Sequence, residues 1–212
     1  GIIVSAGAVL TWLSRELGLY GDARELDEVA AQAGDRHGVV VVPAQSGMGA
    51  PFWRMDARGS IHGLTFGSTK AHILRAALES IPYQIKAILD AVYTESGVAC
   101  RSLRADGGIS RNEFVTQWIS NALGVPVHTY AQADVTGLGA AFLAGLGAGI
   151  YSSIDDIAAL SLEESIHHPN ADQETARAGY ESWRRVVDHA LDDAGNARSP
   201  AGGGGAGGDA GE

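Results

Sequence analysis

The stretch RADGGISRNEF, residues 104–114, holds residue types from which an anion-binding turn is built. An apolar strand ends at Asp106, Gly107 and Gly108 permit positive φ and close approach of a ligand, and Ser110 with Glu113 has the Ser-x-x-Glu spacing of a capping box. A helix started this way aims free backbone N–H groups outward, and its dipole adds attraction for phosphate or carboxylate. Two adjacent glycines ahead of a capped helix also serve pure geometry, so these residues leave a nucleotide loop and an ordinary turn both open. Asp106 is equally two-sided, since a carboxylate there either orients a metal-bound water or caps the turn.

Other segments carry less chemistry. GLTFGSTK, residues 63–70, departs from the Walker pattern, because Lys70 follows Ser68 and Thr69 where the phosphate loop needs Lys before the hydroxyl. Ser68 or Thr69 reads instead as the N-cap of the helix that follows. Of the seven histidines, His62 and His72 fall on different elements, and His167 and His168 lie in a polar connection without cysteine or regular acidic partners, so no histidine metal site is expected. Nothing local activates Cys100 as a nucleophile, and the Gly-x-Ser-x-Gly elbow of serine hydrolases is absent.

The chain that must position these residues has 212 of them, 45% hydrophobic, which suits one globular domain or a large piece of a longer protein. A formal net charge of -10 weighs against nucleic acid and against anionic membrane as partners. The single cysteine fits a reducing compartment, and the cytoplasm is the expectation. The weakly polar run 135–150 falls short of the roughly 18 residues that suggest a spanning helix, so Gly145 and Gly149 read as close packing within a soluble helix. The opening GIIVSAGAVLTWL lacks methionine and starts as if inside an element, which leads us to expect an absent N-terminal portion.

Periodicity predicts helices over 5–17, 22–33 and 68–96, the last with apolar Leu74, Leu78, Ile81, Ile85, Ile88 and Val92 along one face and a kink at Pro82. GVVVVPA reads as a buried strand, and SIHGLT, RSLRAD and VHTY as further strands. A helix over 110–123 stops at Gly124 and Pro126, a Gly/Ala-rich helix follows Val135, and Tyr180, Trp183, Val186, Val187 and Leu191 trace one face of a last helix. Alternating strands and helices give an α/β class. The tail 195–212, rich in glycine, is expected to be disordered.

The ordered set VVPAQSGMGAPFWRMDARGSIHGLTFGSTKAHILRAALESIPYQ, LRADGGISRNEF and TGLGAAFLAGL resembles the C-terminal domain of the FGGY carbohydrate kinases, most of all their glycerol kinase branch. The resemblance implies a ribonuclease-H-like α/β domain of the actin, hexokinase and Hsp70 kind, here residues 1–194 and incomplete at its N-terminal side. It implies ATP and Mg²⁺ as cofactors, a small polyol as substrate, and nucleotide contacts at Gly7, Thr11, Gly107, Gly108 and Asn112. Asn112 would lie in the first turn of the helix capped by Ser110, and Gly139 and Ala140 would let the Gly/Ala helix pack beneath the sheet. The catalytic aspartate, in a Gly-Asp-Gln context, belongs upstream of Gly1, so no catalytic residue is expected within the chain. Thr11 stands where glutamine is frequent, Arg54 and Met55 where Asp-Pro is usual, and Pro82 interrupts a helix that normally runs unbroken. A kinase for another polyol or a ketose such as xylulose, and a non-catalytic nucleotide-binding module, remain alternatives. A sheet cut short would expose an edge that favours pairing with another chain, including a homo-oligomer.

Overall fold

A computed structural model describes residues 3–130, 135–160 and 164–196, with the backbone alone for 193–196. The expected disordered tail lies outside the described residues except at its start. There the last helix continues to Asn196, two residues past the boundary set at 194.

Two short helices open the fold. Helix α1 (Ala6–Arg15) buries Val9, Leu10 and Leu13, and α2 (Ala23–Ala31) buries Leu26, Val29 and Ala30. The Asp22 carboxylate caps α2 by accepting the Glu25 N–H at 2.9 Å. Strand β1 (Val40–Val42) pairs antiparallel with β2 (Ser60–His62). Val41 joins the core on one side of β1 while Val40 and Val42 join a second core on the other, as alternation along a strand buried on both faces requires.

Helix α3 (Lys70–Ser96) runs 27 residues and carries the rest. The Thr69 N–H donates to Nδ1 of His72 at 3.1 Å, which closes the start of α3 at the expected cap. The helix runs on through Pro82. Its middle, residues 76–84, is buried all round rather than on one stripe, while Val92, expected on the apolar face, is exposed. The reason is the number of partners: strand β1 and the helices α1, α2, α4 (Glu113–Leu123) and α7 (Gln173–Asn196) all pack on α3.

A second sheet has the order β3-β4-β5. β3 (Leu103–Ala105) and β4 (Val127–Tyr130) are parallel, joined through α4, and β5 (Glu164–His167) adds antiparallel to β4. β5 was not expected. Its residues Glu-Ser-Ile-His are nearly all exposed, so backbone pairing holds the strand and apolar alternation cannot announce it.

Helix α5 (Val135–Gly147) corrects two expectations. Gly145 alone is buried along it, Gly139 is half-buried and Ala140 exposed, so the helix does not pack beneath the sheet. Gly145 instead faces its own following turn, where an added Cβ would meet the Tyr151 ring at 2.7 Å, and Gly149 lies beyond the helix at φ 75°. A short helix α6 (Ile154–Ala158) follows, opened by a Ser153–Asp156 capping box. Among the described residues no helix is long and apolar enough to cross a membrane.

At the crossing of α3 and α7, Gly179 lies against Tyr83. Glu79 is 3% exposed, and its carboxylate accepts from Arg75 Nε at 2.9 Å and from the Tyr83 hydroxyl at 3.0 Å, with Arg36 at 3.8 Å. Trp118 Nε1 donates to the Tyr83 oxygen at 3.2 Å. Burial, and next the Glu79 charge, push the Tyr83 hydroxyl well above the usual tyrosine range, so it remains a donor. A Cβ added at Gly179 of α7 would stand 2.0 Å from that hydroxyl. Gly179→Ala should therefore cost about 1–3 kcal/mol in thermal or urea unfolding, and less in a Tyr83→Phe background, where the oxygen is gone. Because folding raises this pKa, the stability it lends is present below the unfolded tyrosine value of about 10 and is lost as pH rises above it. Tyr83→Phe should flatten that alkaline loss.

Candidate functional site

The DGG turn differs from the simple capping pattern. A 3-10 turn over Ile109–Arg111 separates β3 from α4, and the residue that caps α4 is Asn112, not Ser110. Asn112 Oδ1 accepts the Val115 N–H at 2.8 Å. The Ser110 hydroxyl turns back and donates to the Gly107 carbonyl at 2.8 Å, so the Ser110–Glu113 capping box does not form. Both Ser-x-x-Glu and Asn-x-x-Val place an acceptor three residues before a backbone N–H, and the extra 3-10 turn selects the second.

Only Gly107 takes the left-handed conformation, at φ 89°. Gly108 sits at φ -59°, ψ -45°, right-handed and open to any residue, so the positive φ that glycine permits is used at Gly107 alone of the two. Its value lies in space: an added Cβ there meets nothing of the protein within 4 Å, and the same holds at Gly7. Each of these two bare backbone positions opens onto one cleft.

That cleft, of about 630 Å³, lies between α1, α2 and the turn before α4. Gly7 and Thr11, one helical turn apart on the exposed face of α1, form one wall, and Gly108 and Asn112 form the wall opposite. Four of the five expected contact positions thus meet, across about a hundred residues of sequence. Gly107 adjoins the cleft through Gly108 and shapes the turn without lining the space. Asp106 is exposed and likewise outside the lining. The volume matches pockets that enclose drug-sized ligands.

The third wall is α2, which the motifs left out. Asp22, Leu26 and Asp27 line the cleft, and the Asp27 carboxylate accepts a hydrogen bond from Asn112 Nδ2. Tyr20 closes the end between α1 and α2. Its hydroxyl donates to the Leu10 carbonyl at 2.8 Å, and its own carbonyl accepts from Ser14 Oγ at 2.9 Å. Burial raises the Tyr20 pKa and keeps that hydroxyl a donor. The buried stripe of α2 was legible in sequence, but no local signal marks which exposed residue faces a turn eighty positions away.

Among the described residues no three His, Cys, Asp or Glu side chains converge as a metal cage. His72 stacks on His37 with ring centroids 5.1 Å apart, and His62 bonds Ser60 on its own strand.

The conserved-domain pattern described as the FGGY family of carbohydrate kinases, C-terminal domain, matches residues 1–148. The chain belongs to the FGGY family. A glycerol kinase of Xanthomonas campestris pv. campestris is 43% identical over 188 residues, which is 89% of this chain and 38% of that protein. The crystal structure of Plasmodium falciparum glycerol kinase with ADP superposes with a TM-score of 0.80 at 34% identity, over 90% of this chain and 38% of that one. Rhodospirillum rubrum xylulose kinase gives a TM-score of 0.76 at 26% identity, over 92% and 40%. The fold is accordingly the mixed α/β, actin- and hexokinase-like fold of these FGGY kinases. The chain spans about 38% of the length of the curated relatives it matches.

The cap at Asn112 has a measurable consequence for the FGGY chain. Asn112→Ala removes the acceptor for the Val115 N–H and should cost α4 about 1 kcal/mol, read as a lower unfolding midpoint in urea, whereas Asn112→Ser retains most of that stability.

Proposed function

We propose that this chain is the nucleotide-holding part of an ATP-dependent glycerol kinase, which transfers the γ-phosphoryl group of ATP to glycerol and yields glycerol 3-phosphate. The observation that carries the reading is the single cleft lined by Gly7, Thr11, Gly108 and Asn112. The names of the relatives add glycerol as the acceptor.

Within that reading each wall has a part. The bare backbone at Gly108 admits the phosphates against the start of α4, where helix dipole and N–H groups favour negative charge. Asp22 and Asp27 repel phosphate, so the base lies along α1 and α2 and the phosphates point toward Gly108. Asn112 offers its amide to the base side. ATP supplies the transferred phosphoryl group. The residues of this chain align it and exclude water, because phosphoryl transfer depends on positioning and charge more than on protein covalent chemistry. The aspartate that accepts the hydroxyl proton, and the polyol contacts, belong to sequence preceding Gly1. Mg²⁺ would accompany the nucleotide and offset its phosphate charge.

Xylulose or a related ketose is the second acceptor to weigh, given the superposition on a xylulose kinase. ATP consumption by the longer protein, measured against glycerol, xylulose and related polyols, should be highest with glycerol. Failure with every acceptor ends the kinase reading. Calorimetric titration with ADP should show affinity falling about tenfold for Asn112→Ala and more for Gly108→Val, whose branched side chain fills the ligand space. If both variants bind ADP as the parent does, the nucleotide does not occupy this cleft.

A further inference from the structure

Asn112 is an unusual cleft residue because its amide is already engaged on both ends. Oδ1 accepts the Val115 N–H at 2.8 Å and Nδ2 donates to the Asp27 carboxylate. An asparagine amide has two donors on nitrogen and two acceptor sites on oxygen, and a half-turn about its last bond exchanges them. The two partners here demand the same orientation: a backbone N–H needs the oxygen, and an ionised carboxylate, which only accepts, needs the nitrogen. One N–H and one oxygen lone pair are left over on the side chain, beside the cleft.

Asp27 can enforce that orientation because α2 is itself held. Leu26, its neighbour in sequence, is 4% exposed in the core with Val29 and Ala30, and α2 packs along α3, on which α4 also rests. The capped helix start and the acidic residue therefore share one platform. The other charged groups lining the cleft are Arg15, Asp22 and Arg111. Asp22 spends an oxygen on capping its own helix.

We infer that Asp27 is a positioning residue of the nucleotide site: its carboxylate fixes the Asn112 amide so that one N–H and one oxygen lone pair face the base. This rests on the nucleotide reading above. An adenine edge, with an exocyclic amine beside a ring nitrogen acceptor, matches a donor and an acceptor offered side by side. Without Asp27 the Val115 N–H would hold that orientation alone, and affinity would fall by the fraction of time the amide spends reversed.

The test is a double-mutant cycle on the full chain, read by calorimetric titration with ADP and by the side-chain NH₂ signals of Asn112 in the ¹⁵N-labelled protein. Asp27→Ala should weaken ADP about fivefold, the scale of one charge-assisted but solvent-reached hydrogen bond. Its melting temperature should stay within about 2 °C of the parent's. Asp27→Asn, still an acceptor but uncharged, should give a smaller loss. Asp27→Ala added to Asn112→Ala should cost nothing further, because Asp27 acts through that amide. The hydrogen-bonded Asn112 amide proton should shift upfield in Asp27→Ala before any nucleotide is added. Additive losses, an unchanged ADP affinity in Asp27→Ala, or an Asn112 amide signal indifferent to that substitution would each overturn the positioning role while leaving the nucleotide site intact. A parent chain that fails to bind ADP at all would overturn both.

Discussion

A buried carboxylate must be paired, and that requirement at Glu79 organises the centre of this domain. Removing an ionised group from water costs several kcal/mol unless charge and hydrogen bonds replace the lost hydration. Arg75, Arg36 and the Tyr83 hydroxyl supply them, and between them they tie α4, α7 and the link before β1 to α3. Arg36 lies on the link from α2 to β1 and also donates to the Gly179 carbonyl on α7 at 3.3 Å. Tyr83 takes the Trp118 indole N–H from α4. Arg75 lies over the Phe114 and Trp118 rings, 4.9 and 5.1 Å from their centroids. One polar cluster thereby fixes the mutual placement of α3, α4 and α7 that apolar packing alone would leave able to slide.

The cleft inherits its rigidity from that centre. Its walls come from α1, α2 and the turn before α4, and each buries its inner face on α3 through Leu10 and Leu13, Leu26 and Val29, or Val115 and Ile119. None of these elements is long, and an isolated helix of nine to eleven residues is marginal in water. Their geometry is stable because α3 supplies a common surface. The site can therefore expose glycine backbone at Gly7 and Gly108 without losing shape, since the strength lies one layer beneath.

Much of this was legible in residue order. β-branched runs announced β1 and β4, the period of Leu74, Leu78 and Ile81 announced α3, and the succession of motifs resembled the FGGY C-terminal domain, to which the chain belongs. The misreadings have physical causes. Ser110 and Asn112 both satisfy a capping rule, and a 3-10 turn invisible in the pattern decided between them. The Gly/Ala character of α5 signals permission for close packing, not a partner, and Gly145 found only its own turn.

What the sequence determined by itself is the set of local tendencies: where apolar spacing makes helix or strand, where Gly107 allows a left-handed turn, and which ordered motifs mark the family. Those depend on neighbours within a few residues. Tertiary structure alone decided that Gly7 and Thr11 face Gly108 and Asn112 across one space, that Asp27 reaches the Asn112 amide, and that the middle of α3 is enclosed on all sides. These are relations between distant segments, set by how several apolar faces share one helix, and no spacing along the chain encodes them.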